Sequence, residues 1–107
     1  MTVLRPAHRY LLHDFEQNQS NEVTGQELQF IEKVPVAEGS TEAKTINNGT
    51  TNEEVLAVLL DRLNGVQTKF PCRENAVAIT HIETALLWLN HRTACRKARG
   101  VEGKQIK

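Results

Sequence analysis

No uncharged apolar run in this sequence approaches the roughly 18 residues that a membrane-crossing helix needs, so no membrane span is expected. Cysteine is scarce. Cys72 and Cys95 fit no CxxC or zinc-ligand pattern and read as two small apolar thiols in a reducing compartment. Met1 to Phe15 sets Arg5, Arg9 and Asp14 around a short Tyr10-Leu11-Leu12 cluster, without the continuous apolar stretch and small-residue cleavage site of a secretory signal. The expected location is therefore the cytoplasm, where the Asn48-Gly49-Thr50 glycosylation pattern has no meaning. Also missing are a GxSxG nucleophile motif and the GxGxxG and GxxxxGK[ST] phosphate loops. Glu74 and Glu83 have no evident acid–base partner, and His8, His13, His81 and His91 are dispersed, so no metal-ligand set is assembled from them. Neither catalysis nor a metal or cofactor is expected.

What is present is ordinary in amount and uneven in placement. A hydrophobic fraction of 39% and 107 residues suit one globular domain, for which folding buries roughly 65% of the unfolded surface. Net charge is zero, yet Met1 to Glu53 holds eight acidic residues against Arg5, Arg9, Lys33 and Lys44. From His91 onward the balance reverses, with Arg92, Arg96, Lys97, Arg99, Lys104 and Lys107 facing Glu102 alone. An anionic partner would suit that segment. So would the plain role of cations at a helix C-terminus, complementing the macrodipole.

The first half reads as strands. Leu28, Phe30, Ile31, Val34 and Val36 are β-formers between Thr24-Gly25 and Glu38-Gly39-Ser40, which predicts a hairpin returning over about Glu42 to Ile46. Pro35 lacks a backbone donor and so marks an edge or a strand end. His8 to Phe15 supplies a further strand or a short helical turn, and Gln17 to Asn21 a polar loop.

The second half reads as two helices. Thr51 with Glu54, or in the alternative frame Thr50 with Glu53, gives a capping-box start. Val55, Leu56, Leu59, Leu60, Leu63 and Val66 then recur at helical spacing as far as about Gln67. Phe70-Pro71-Cys72 interrupts, and a longer helix follows from about Arg73 to Arg99, with the stripe Ile79, Ile82, Leu86 and Leu89 and with Gly100 as its stop. The short connection makes the helices antiparallel. Val77, Leu87 and Trp88 lie off that stripe and give the long helix a second apolar face, which either the N-terminal strands or another subunit must cover. The fold class is thus α+β: an N-terminal β-hairpin or small antiparallel sheet (about 5–48), a two-helix hairpin (about 51–99) and a partly free tail (100–107).

Arg92, Arg96 and Arg99 recur at steps of four and three and so share one helix face. Guanidinium forks bind phosphate oxygens in pairs, so the row is either a phosphate surface or a solvated helix end.

Thr51-Asn52-Glu53-Glu54-Val55-Leu56, Lys69-Phe70-Pro71-Cys72-Arg73-Glu74-Asn75-Ala76, Ala85-Leu86-Leu87-Trp88-Leu89 and Arg92 through the Arg99-Gly100-Val101-Glu102-Gly103 ending resemble the helical-hairpin family of phage anti-Thoeris and anti-CBASS sponges. The likeness runs over about residues 50 to 104, and the N-terminal strands place it nearer the β-containing anti-Thoeris branch. It implies a non-enzymatic protein that sequesters a cyclic nucleotide immune signal, glycocyclic ADP-ribose or a cyclic di- or trinucleotide, in a homo-oligomer of two to six chains with sites between subunits. It also implies ligand contacts at Asn75 and Arg92, with Arg96, Arg99 and Lys104 as further phosphate contacts; Phe70, Trp88 and Tyr10 are the candidate stacking rings, with ordinary core packing as the alternative for each. Gly65 stands where relatives often carry an aromatic. Trp88, Val77 and Leu87 are the expected subunit interface. A nucleic-acid-binding regulator and a structural assembly protein are the rival readings.

Overall fold

The computed structural model describes residues 1–18 and 21–107, so the expected loop over Gln17 to Asn21 lies partly outside the described residues. Strands β1 (Thr2–Arg5), β2 (Arg9–His13) and β3 (Gly25–Gln29) form an antiparallel sheet in that order. Strands β4 (Glu32–Pro35) and β5 (Ala43–Asn47) form a separate antiparallel hairpin, followed by helices α1 (Asn52–Lys69) and α2 (Arg73–Ala98). The α+β class and the order of its parts are as expected.

Two β features differ from the expectation. Strand β1 was not anticipated, because its turn to β2 carries no glycine: Pro6 presets the turn, and Ala7 adopts the left-handed φ of 64° that a glycine would normally announce. The apolar run Leu28 to Val36 is also not one strand. It breaks at Phe30 and Ile31, which leave the first sheet to pair with Thr50. The Ile31 amide donates to the Thr50 carbonyl at 2.9 Å, and the Thr50 amide donates to the Gln29 carbonyl at 2.9 Å. This approach requires Gly49, since a Cβ there would collide with the carbonyl of Gln29.

Glu32, only 5% exposed, binds the two sheets together. Arg5 of β1 donates to both its oxygens at 2.7 and 2.6 Å, and the Asn47 amide of β5 donates at 3.1 Å.

The helices begin and end on identifiable chemistry. Thr51 is the N-cap of α1, its hydroxyl accepting the Glu54 amide at 3.2 Å, which resolves the choice of capping frame. The turn is closed by Gln67, whose side chain donates to the Cys72 carbonyl and accepts the Cys72 amide at 3.0 and 3.1 Å. Gly100, at φ 73°, ends α2 in a Schellman motif: its amide donates to Lys97 and the Val101 amide donates to Arg96.

The tail is not free. Arg96 turns inward, 5% exposed, and its guanidinium donates to the Glu102 carboxylate and to the carbonyls of Val101, Lys104 and Ile106. Lys104 pairs with Glu42 at 3.1 Å, and the Gln105 amide donates to the Thr41 carbonyl at 2.9 Å, which ties the tail to the β4–β5 hairpin. Composition alone marked this segment as polar; a cation four residues upstream of Gly100 gathers its carbonyls.

Among the described residues no apolar side chain is fully buried. The helix seam of Leu56, Leu60, Leu63, Ile79, Ile82, Leu86 and Leu89 is half-buried, and the molecule is a slab of 49 × 37 × 14 Å. Its radius of gyration is 17.6 Å, against about 13 Å for a compact chain of this length. Leu87 and Trp88 are 67% and 66% exposed on α2.

The Arg5 hydrogen bonds, opposed by burial and assisted by Asn47, lower the Glu32 carboxyl from 4.5 to about 2. A carboxyl depressed on folding stabilises above its unfolded value and loses that contribution as pH falls toward its folded value. Thermal melting followed from neutral to acid pH should therefore show the wild type losing stability between about 4.5 and about 2 more steeply than Glu32→Gln does. Parallel curves would remove Glu32 as the source.

Candidate ligand-binding site

The two ends of the helical hairpin carry different surfaces. At the open end a cleft of about 500 Å³ lies between the β1–β2 turn, the Phe30–Ile31 strip, the first residues of α1 and the last turns of α2. Its polar lining includes His8, Asn52, Asn90, Arg92, Thr93 and Glu102. The fold fixes these walls through backbone: the Phe30 amide donates to the His8 carbonyl at 2.7 Å, and the Thr50 pairing sets where α1 starts. Arg92 is exposed and makes no ion pair among the described residues, so its guanidinium is available to a phosphate. Glu102 faces the same cleft with its carboxylate held by Arg96 Nε at 3.3 Å, which offsets its charge.

At the loop end a smaller hollow of about 430 Å³ runs along α1 between Asp61, Arg62, Gly65, Lys69 and Phe70. Phe70 is 75% exposed, and nothing lies within 4 Å of where a Gly65 side chain would begin. Asn75, half-buried, begins α2 close by, its amide donating to Cys72 Sγ at 3.5 Å.

The expected ligand residues are thus divided. Phe70 and Asn75 stand at the loop end, Arg92 and Arg99 at the open end. Asn75 and Arg92 are 17 residues apart on one continuous helix, which at 1.5 Å per residue separates them by about 25 Å. Arg96 does not join a phosphate-facing row, because all three of its guanidinium nitrogens are engaged with the tail. Lys104 holds Glu42, and Arg99 is the exposed C-cap of α2. Trp88, Leu87 and Val77 are exposed on the outer side of α2. The cleft residues His8, Asn90 and Thr93 were missed: Asn90 and Thr93 are three apart on α2, but His8 comes from the β1–β2 turn and no spacing links it to them. One pair passed over has a legible signal: His91 and Cys95 are four apart, and His91 Nε2 lies 3.5 Å from Cys95 Sγ.

A helical hairpin preceded by a β-hairpin is also what the comparisons with known proteins single out. The family profile described as "Acb2/Tad1, hairpin domain" matches residues 32–94, from β4 through nearly all of α2. The chain belongs to the Acb2/Tad1 hairpin family. The match begins earlier than the resemblance read from the sequence and leaves β1 to β3 and the tail outside. A relative, "Thoeris anti-defense 1" of Bacillus phage SBSphiJ7, is 54% identical over 61 residues. That stretch is 56% of this chain and 43% of the phage protein, so the match spans less than half of the relative's length. No helix among the described residues is long and apolar enough to cross a membrane.

Within this hairpin Gly65 has no packing reason to be glycine, and an exposed mid-helix glycine costs about 0.5–1 kcal/mol relative to alanine. Gly65→Ala should raise the melting temperature measured by circular dichroism. A fall would show that something outside the chain fills the hollow.

Proposed function

We propose that this protein is a phage anti-defence protein that binds a cyclic nucleotide immune signal and holds it uncleaved, in sites shared between copies of the chain, inside the infected bacterium. Membership of the Acb2/Tad1 hairpin family and the name of its phage relative support this reading, with glycocyclic ADP-ribose of the Thoeris system as ligand and the cyclic di- and trinucleotides of CBASS as the alternative class.

The single observation that carries the shared site is the separation of the half-sites. A stacking ring and an amide at the loop end, and an unpaired guanidinium about 25 Å away, are too far apart for one small ligand on one chain. Two hairpins side by side and antiparallel bring Phe70 and Asn75 of one copy to Arg92 of the next. The exposed apolar face of α2 supplies the contact for such a pairing. Binding to nucleic acid is disfavoured by the same geometry, because Arg96 and Lys104 are engaged within the chain and fewer cations are left free to meet successive phosphates.

For assembly, light scattering should give the mass of a dimer or larger, and Trp88→Glu should lower it by placing a charge in the contact. The mass of one chain for the wild type would refute shared sites. For the ligand, calorimetric titration of glycocyclic ADP-ribose should show Arg92→Ala losing a charge-assisted contact of about 1.5–3 kcal/mol, a roughly ten- to hundredfold loss of affinity. Asn75→Ala should lose less and Lys107→Ala little. The ligand recovered after denaturation should be intact; cleaved nucleotide, or equal losses for every basic residue, would overturn the proposal.

A further inference from the structure

We propose that His91 and Cys95 are half of a zinc site, completed by the same pair from a second copy of the chain to give a tetrahedral two-cysteine, two-histidine centre between subunits. Four observations carry it. The first is distance. Zinc ligated at about 2.3 Å by sulfur and about 2.0–2.1 Å by nitrogen at the tetrahedral angle sets those two donors about 3.5–3.6 Å apart, and His91 Nε2 stands 3.5 Å from Cys95 Sγ. One turn of α2 therefore already holds two donors at the edge length of a zinc tetrahedron, without backbone movement.

The second is orientation. The His91 ring packs edge-on against Trp88, with centroids 5.9 Å apart at 85°, which restrains the imidazole in the direction that presents Nε2 to Cys95. The third is that the site is incomplete in one chain. Both residues are exposed, and among the described residues no three histidine, cysteine or acidic side chains stand close enough to share an ion. Two ligands leave two positions open.

The fourth is where the pair sits. His91 borders an apolar hollow with Leu87 and Trp88, the most exposed apolar stretch of α2. A two-fold contact centred on this patch, separate from the antiparallel pairing that sets Asn75 against Arg92 about the middle of α2, is isologous, so residues near its axis meet their own copies. Two thiolates and two neutral imidazoles around a divalent ion sum to zero charge, so the completed centre can be covered by Leu87 and Trp88 without burying an ion pair. Each thiol releases its proton to solvent on binding.

The inference rests on the proposed association of copies, adds a second two-fold contact to it, and can fail separately from it. Reduced, chelator-treated full-length protein is titrated with Co²⁺, a spectroscopic stand-in for zinc, and its mass is followed by light scattering. Intense tetrahedral ligand-field bands and a thiolate-to-cobalt charge-transfer band are expected, saturating at one ion per two chains and bleached by Zn²⁺. Cys95→Ser and His91→Ala, both at exposed positions, should lose the bands while circular dichroism shows them folded; Cys72→Ser should keep them. An oligomer without bands, bands that survive Cys95→Ser, or one ion per chain overturns the zinc site and leaves the assembly standing. The mass of one chain with and without metal overturns both.

Discussion

The carboxylate of Glu32 is the joint on which the arrangement of the β elements depends. In a chain with a full hydrophobic core, packing would fix how one sheet sits against the next. Here no apolar side chain is fully buried among the described residues, so direction must come from hydrogen bonds. A bidentate guanidinium contact has a defined plane and two bond axes, unlike apolar contact, which is non-directional. Arg5 brings β1 to this carboxylate and Asn47 brings β5, so one side chain of β4 sets three strands relative to one another. The Phe30–Ile31 strip leaves the first sheet immediately before Glu32, pairs with Thr50, and so fixes the residue before the α1 cap. The open-end cleft is a consequence of that sequence of contacts, because its walls are the β1–β2 turn, this strip and the two helix ends.

The same shortage of core gives the proposed assembly a physical cause. A slab 14 Å thick is little more than one layer of secondary structure, and its outer helix face exposes Val58, Leu59, Val77, Leu87 and Trp88. Domains are ordinarily built from two packed layers. In the proposed assembly a second copy would supply the missing layer at no cost in new sequence, and a ligand lying across the joint between copies would stabilise the joint by mass action. Binding and assembly would then become one equilibrium, with each raising the apparent strength of the other.

Most of the helical half was legible in the sequence because its determinants are local: Thr51 three before Glu54, Pro71 between the helices, Gly100 after the last cations. The hairpin β4–β5 was legible for the same reason, as β-formers around a Gly-Ser turn. What escaped depends on contacts far apart in the chain. Strand β1 hides behind a Pro-Ala turn that carries no glycine. The division of Leu28 to Val36 is decided by Thr50, about twenty residues downstream. Of the expected site residues, Arg92 lines the open-end cleft, while His8 and Asn90 reach that cleft from segments with no shared period. The arginine row fails as a row because helix spacing says which residues share a face and not which of them a returning tail will cover.

That tail changes the electrostatics as much as the shape. Six cations against one acid from His91 onward look like a surface made for any polyanion. Arg96 is instead enclosed by tail carbonyls and Glu102, and Lys104 is paired with Glu42, so two of the six are neutralised within the fold. Duplex nucleic acid offers one phosphate about every 1.7 Å and rewards the number of cations that meet it. A compact cyclic nucleotide has few phosphates and rewards placement. Moving charge out of the general surface and into the walls lowers the first kind of affinity, and it leaves Arg92 standing in a cleft whose backbone is already fixed, where less ordering is required on binding.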